Sequence, residues 1–168
     1  RYREMYSFYL RTYGCQMNER DSEALCCLLE AHGHRSIADE ESADVLIFNT
    51  CSVRDQAERK VIGKIGILKR LKVRKPGLKI GIIGCMAQRL GESLFAKLPH
   101  VDFVVGTAQL HQVPEIFAKL AAGETQLSAL SLEGDAGKGL SGHQDGALTS
   151  YIAVMRGCDQ FCTYCIVP

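Results

Sequence analysis

The chain has 168 residues, the length of about one domain. Apolar residues make up 46 % and charged residues 23 %, which supplies a core and argues against disorder. With 20 basic and 19 acidic residues the net charge is +1, excluding a uniformly basic nucleic-acid binder, and no apolar run approaches the roughly 18 residues of a membrane span.

The chain therefore reads as soluble, with no membrane association. It begins at Arg1 rather than Met, compatible with a removed targeting segment. Short apolar runs at Ser7–Tyr13, Val45–Asn49, Ile80–Ile83 and Phe103–Val105 read as strands. Between them, apolar residues spaced three and four apart, such as Val61, Ile65 and Leu68, predict helices over Glu19–Ala31, Arg54–Val73, Ala87–Leu98 and Leu110–Ala121. Strand alternating with helix, with near-continuously apolar strands, predicts an α/β fold: a parallel sheet covered on both faces through right-handed crossovers. Residues 1–130 form this domain. Residues 131–148, with Gly134, Gly137, Gly139, Gly142 and Gly146 and almost nothing apolar to bury, read as a linker. Tyr151–Met155 reads as a new strand, and residues 149–168 are too few for a domain, so they are expected to open a larger one.

The eight cysteines set this composition apart. A chain this long needs no disulfide staples, so metal or redox chemistry in a reducing compartment is the better account. Cys15, Cys51 and Cys85 each follow one of the first three predicted strands, in TYGCQMN, FNTCSVR and IIGCMAQ. Parallel strands end on one edge, where ligand sites form, so these thiols are expected to converge. Each also precedes a helix, whose N-terminus would favour the thiolate. Iron or zinc would suit three such ligands. Zinc prefers four in a structural site, whereas an iron–sulfur cluster can leave one iron without cysteine. The alternative is that they are small buried hydrophobes in tight turns. Cys26 and Cys27, beside Leu25, Leu28 and Leu29, read as packing residues.

Cys158, Cys162 and Cys165 stand in GCDQFCTYC, a CxxxCxxC spacing that lets three thiolates wrap three irons of a cubane and leaves one iron open. Cluster-bearing electron carriers usually supply four cysteines, so the open iron points to catalysis. The competing readings are a redox pair of Cys162 and Cys165, and a zinc site with a remote fourth ligand.

This spacing resembles the radical S-adenosylmethionine superfamily, whose cofactor binds the open iron of a 4Fe-4S cluster and whose fold is a β/α barrel. Tyr164 matches the aromatic that usually lies near the adenine there; otherwise it is a loop aromatic that packs locally. With Cys15, Cys51 and Cys85 included, the chain resembles the methylthiotransferase family, which joins an N-terminal three-cysteine domain to a radical S-adenosylmethionine domain and a small RNA-binding domain. TYGCQMNERDSE, NTCSVRDQAERKV, GCMAQR and RGCDQFCTYCIVP look most like its tRNA branch, which modifies isopentenylated adenosine beside the anticodon. The branch acting on a ribosomal-protein aspartate usually carries Pro and Lys after the first cysteine, where Gln16 and Met17 stand here.

The resemblance implies two 4Fe-4S clusters and S-adenosylmethionine. The cluster on Cys158, Cys162 and Cys165 would cleave that cofactor to a radical that abstracts hydrogen from adenine carbon 2. The one on Cys15, Cys51 and Cys85 would supply or carry the sulfur. It further implies a cytoplasmic monomer that meets tRNA and an electron donor such as flavodoxin or ferredoxin. The rivals are a sister enzyme acting on threonylcarbamoyl adenosine or a protein side chain, and a non-catalytic iron–sulfur or zinc module.

Three further features carry two readings each. From Arg54 to Lys79 ten Lys or Arg face two acids, a local +8 that could meet tRNA phosphates or form a solvated helix face. His32 and His34 flank Gly33 at a helix end, where imidazolium suits the dipole better than a ligand role. Asn18 and Asn49, near the first two thiols, suit caps or turns, with cluster contact as the second possibility.

Overall fold

Four of the five expected strands form, and two short ones join them. The structure, a computed structural model, describes residues 5–52, 55–132, 140, 142, 149–154 and 157–165. In chain order the elements are β1 (Ser7–Tyr13), α1 (Gln16–Ala31), β2 (Arg35–Ser36), β3 (Val45–Thr50), α2 (Asp55–Arg74), β4 (Lys79–Gly84), α3 (Cys85–Leu90), α4 (Ser93–Lys97), β5 (Phe103–Val105), a 3₁₀ turn (Thr107–Gln112), α5 (Val113–Ala121) and β6 (Leu127–Ala129). Every pairing is parallel and the strand order is β2-β1-β3-β4-β5-β6, so the chain reverses direction between β1 and β3.

Strand period two divides the core. Val45 and Ile47 of β3, with Ile83, Phe103 and Val105, pack on one face against Ala24, Leu25 and Leu29 of α1 and Ile116, Phe117 and Leu120 of α5. Leu46 and Phe48, with Ile80, Ile82 and Val104, pack on the other against Val61, Ile65 and Leu68 of α2, Met86 of α3 and Leu94 of α4. This is the two-faced parallel sheet that the sequence predicts. The last crossover departs from it: α5 shares the α1 face although β6 continues outward beyond β5, so that connection has the opposite hand to the others. The gain is coverage, because Phe117 sets its ring edge against Phe103 and Tyr6.

Local chemistry explains the other departures. α1 begins at Gln16, three residues earlier than its apolar period shows, because its first turn is polar. The stretch Ala87–Leu98 splits into α3 and α4 at Gly91, whose φ of 53° is left-handed. Leu110–Ala121 divides into the 3₁₀ turn and α5, where Pro114 sits in the first turn that tolerates a missing N–H. Tyr151–Val154 are not a strand, and Met155 lies outside the described residues; Ile152 and Val154 are exposed, with no neighbouring strand to pair with among the described residues. The expected linker also buries a residue: Leu140 joins the α1–α5 core, and its carbonyl accepts from Arg20 Nη2 at 2.9 Å.

At the amino edge, carboxylates pin neighbouring strands. Asp44 accepts from the amide of Ser7 at 3.0 Å and its hydroxyl at 2.6 Å. Asp102 accepts from the amide of Ile80 at 2.8 Å and pairs with Lys72. In mid-sheet Gly81 lies opposite Phe103, and a Cβ there would sit 2.0 Å from the ring, which Phe117 holds from the far side. Gly81→Ala is therefore expected to destabilise the chain by about 1–3 kcal/mol through overpacking, measured by denaturant unfolding.

Candidate metal centre at the carboxyl edge of the sheet

Tyr13, Thr50 and Gly84 stand in one row across three adjacent strands. The chain leaves the sheet just beyond that row at Cys15, Cys51 and Cys85. With strands about 4.8 Å apart, the three turns fall within about 10 Å at the topological reversal, where open α/β sheets bind ligands. The three turns that carry the cysteines thus lie side by side on one edge of the sheet.

Their positions are set by a buried polar network. Asn18, Asp21 and Ser22 occupy the stripe of α1 that Leu25 and Leu29 continue, and all three are buried. Asn18 Nδ2 donates to Asn49 Oδ1 at 2.9 Å and to the carbonyl of Thr50 at 3.2 Å. Asn49 Nδ2 returns bonds of 2.9 Å to the carbonyl of Asn18 and to Ser22 Oγ, which also meets Thr12 Oγ1 at 2.7 Å. Asn18 Oδ1 accepts from the Cys15 amide at 3.2 Å and its thiol at 3.4 Å. The Cys51 amide donates to the carbonyl of Tyr13 at 3.1 Å, and Thr50 Oγ1 to the carbonyl of Ile83 at 2.8 Å. The turns after β1 and β3, and the end of β4, are thereby tied together.

Two glycines make room for this bridge. A Cβ on Gly14 would lie 2.1 Å from Asn18 Oδ1, and one on Gly84, whose φ is 94°, would lie 2.4 Å from Asn49 Oδ1. The Gly-Cys pairs in the sequence are thus close approaches of amide to backbone.

None of the three cysteines is in a disulfide; Cys51 is buried, Cys15 and Cys85 partly so. The Cys85 thiol is pushed above its ordinary range, first by burial and then by the negative charges of Cys51, Cys15 and Asp21, against a backbone hydrogen bond from Ser52. Here the expectation from position fails: Cys85 opens α3, but desolvation and like charge outweigh the dipole of so short a helix. That Cys51 and Cys15 act on Cys85 also records their proximity. Among the described residues no three His, Cys, Asp or Glu side chains stand close enough to hold a single metal ion. Zinc would need sulfurs about 3.8 Å apart, given Zn–S bonds of about 2.3 Å in a tetrahedron. A multi-iron core tolerates wider spacing. The hydroxyl of Ser52, next to Cys51, is buried with no partner among the described residues, an orphan donor that suits an anionic sulfur group. Three cysteines outside any disulfide and this hydroxyl fit an iron–sulfur cluster better than zinc.

Cys158, Cys162 and Cys165 lie in a separate loop and are all exposed. The Cys165 amide closes a turn onto the carbonyl of Cys162 at 2.9 Å, with Gly157 and Phe161 in the left-handed region. Tyr164 is 91 % exposed, so it does not pack locally. Cys26 is buried in the α1 core, as its reading as a packing residue requires, and Cys27 is partly buried. His32 Nδ1 meets the carbonyl of Leu28 at 2.8 Å at the end of α1. His34 sits between Tyr6 and Phe117. Sequence reasoning missed Ser22, Asp21 and Ser52. The first two were detectable, as polar residues on a stripe that otherwise faces the core; Ser52 gives no such signal.

The Cys85 shift fixes a pH dependence. The folded chain holds this proton more tightly than the unfolded one, so the contribution is complete below the ordinary thiol pKa of about 8.5 and is lost as pH rises beyond it. Metal-free protein is expected to lose stability above about pH 8.5, and Cys85→Ser to flatten that decline, in denaturant unfolding across pH. Asn49→Ala strands the amide of Asn18 and is expected to cost about 1–3 kcal/mol in the same measurement.

Residues 7–106, from the start of β1 to just past β5, match the family described as uncharacterized protein family UPF0004. The chain is 45 % identical over 99 % of its length to the tRNA-2-methylthio-N(6)-dimethylallyladenosine synthase of Protochlamydia amoebophila, covering 37 % of that protein. It is 38 % identical over 96 % of its length to the protein of that name from Hydrogenobaculum sp., and 44 % over 96 % to that of Bacillus thuringiensis, covering 38 % and 32 % of them. The chain thus spans about a third of the length of these relatives. Sheet, cysteine edge and family match coincide over the same residues, and the chain belongs to the UPF0004 family, the N-terminal domain of methylthiotransferases.

Proposed function

We propose that this chain is the sulfur-handling part of a tRNA methylthiotransferase acting on carbon 2 of isopentenylated adenosine. One observation supports the reading: three cysteines follow the carboxyl ends of three adjacent strands in a chain 45 % identical to a protein named for that product. Cys15, Cys51 and Cys85 would hold one 4Fe-4S cluster, which supplies an iron open to exogenous sulfur. Cys158, Cys162 and Cys165 would hold a second, which supplies the one-electron chemistry that cleaves S-adenosylmethionine.

The work of the chain's own residues is positional. The Asn18–Asn49 bridge fixes the three turns, so the thiols need little reorganisation on binding the inorganic core. The buried hydroxyl of Ser52 can turn its proton toward a sulfur. Exposed Tyr164 is free to stack on the adenine of the cofactor. In this reading residues 1–130 are the cluster domain, 131–148 the connection and 149–168 the opening of a radical S-adenosylmethionine domain. The protein works in the cytoplasm as a monomer, with electrons from a flavodoxin or ferredoxin.

Anaerobic reconstitution of the intact protein tests this. About eight irons and eight sulfides per chain are expected, falling to about four when Cys15, Cys51 and Cys85 are replaced by Ala, as two cubanes require. The triple variant should still cleave S-adenosylmethionine and form no methylthio nucleoside; Cys158→Ala should abolish cleavage. Two zincs and no visible absorbance, or sulfur insertion by the triple variant, would refute the assignment.

A further inference from the structure

The basic helix α2 divides its cations into two sets. Two, with Lys75 just past the helix end, are neutralised within the chain: Lys64 by Glu40 at 2.8 Å, Lys72 by Asp102, and Lys75 by Asp44 at 3.7 Å. Five others, Arg59, Lys60, Lys69, Arg70 and Arg74, are exposed and form no ion pair with any acidic side chain that the structure describes, the Asp55 side chain lying outside that set. These five are the unspent charge of a chain whose net charge is only +1.

At about 100° per residue, Arg59, Gly63, Gly66, Arg70 and Arg74 fall within a sector of about 80°, on the side opposite Val61, Ile65 and Leu68. The arginines extend along about 22 Å of helix at 1.5 Å per residue. Both glycines are exposed, and a Cβ on either would meet nothing within 4 Å. Glycine is the least favourable residue of a helix interior after proline, and no intrachain packing repays it here. The ridge therefore has a saddle at its middle, flanked by cations.

We propose that this outward face of α2 is a seat for an RNA strand, with the sugar–phosphate backbone crossing the Gly63–Gly66 saddle between Arg59 and the Arg70–Arg74 pair. The inference rests on the tRNA reading above. Charge selects the partner, since unpaired arginine forks match phosphate oxygens two at a time. Position supports it as well. α2 begins at Asp55, four residues after Cys51, so an RNA presenting a base to the thiol edge lies alongside the helix at its start. Lys60 and Lys69 flank the saddle and add phosphate contacts without sequence preference.

The test uses the intact, reconstituted protein and a fluorescein-labelled isopentenylated tRNA, with anisotropy titrations across a series of KCl concentrations. The triple variant Arg59→Gln, Arg70→Gln, Arg74→Gln is expected to bind at least about tenfold more weakly and to lower the log–log salt slope by about 2–3. Its thermal unfolding and its cleavage of S-adenosylmethionine should be unchanged. The double variant Gly63→Ala, Gly66→Ala provides the sharper arm: it should raise the melting temperature and weaken RNA binding together. Wild-type affinity and slope in the triple variant would overturn the proposal, as would weaker binding with an unchanged slope. Loss of a copurifying acidic protein with RNA binding intact would assign the face to that protein instead. Product analysis separates the two readings: methylthio nucleoside formed with wild-type RNA affinity in the variant sinks the seat alone, whereas a lowered slope in a protein that makes no such nucleoside sinks the activity alone.

Discussion

A reciprocal side-chain amide bridge, Asn18 to Asn49, holds the turn after β1 to the turn after β3 at the point where the sheet reverses direction. Everything chemical in the domain depends on it. Parallel strands bring their carboxyl ends to one edge but leave the loops beyond them free, and in this chain those loops carry the thiols. The bridge removes that freedom with bonds of 2.9 Å inside a buried environment, where an unmade bond is costly. Gly14 and Gly84 belong to the same device, since a side chain at either would occupy the place of an amide oxygen. Selection of glycine before two of the three cysteines follows from packing above the backbone.

Electrostatics at that edge runs against the protein until something positive arrives. Three thiols and Asp21 share a partly desolvated pocket, and Arg20 is the nearby cation, 3.2 Å from the Asp21 carboxylate. Burial and mutual repulsion keep Cys85 protonated. A metal core of the kind proposed for this edge would therefore have to displace the Cys85 proton itself. Helix N-termini contribute less than their number suggests. α3 has six residues, and its partial charge competes with the low dielectric around its first residue.

What could be read from the residues was what period and topology determine. Val45–Phe48 is an unbroken apolar run, and its alternate members do serve opposite faces of a covered parallel sheet. The position of cysteine after strand, repeated three times, located the edge. β2 and β6 left no signal, because two and three residues on the rim of a sheet are held by their neighbours' backbones. Gly91 and Pro114 were visible, yet a glycine in a helical pattern is tolerated as often as it breaks one, and the break came from its left-handed φ. Tyr151–Val154 has the composition of a strand with no neighbour to pair with among the described residues, and pairing, not composition, makes a strand. Leu140 was lost among glycines: one apolar residue suffices to dock a segment when a core groove and an arginine both receive it.

The two edges of the sheet illustrate how the same side chains serve different ends. At the amino edge Asp44 and Asp102 are satisfied by strand amides and by lysines, and their bonds close on themselves. At the carboxyl edge two buried polar atoms, the Ser52 hydroxyl and Gln88 Oε1, lack a partner among the described residues. α2 links the edges. Lys72, with Lys75 just past the helix end, completes the amino-edge pins, while the outward arginines pair with no acidic side chain that the structure describes, so the inner side of the helix is electrically closed and its outer side open. A chain with only one excess charge can therefore present a strongly basic line, because its acids are committed elsewhere. The separation of paired from unpaired cations, more than their number, is what distinguishes a binding face from a solvated one.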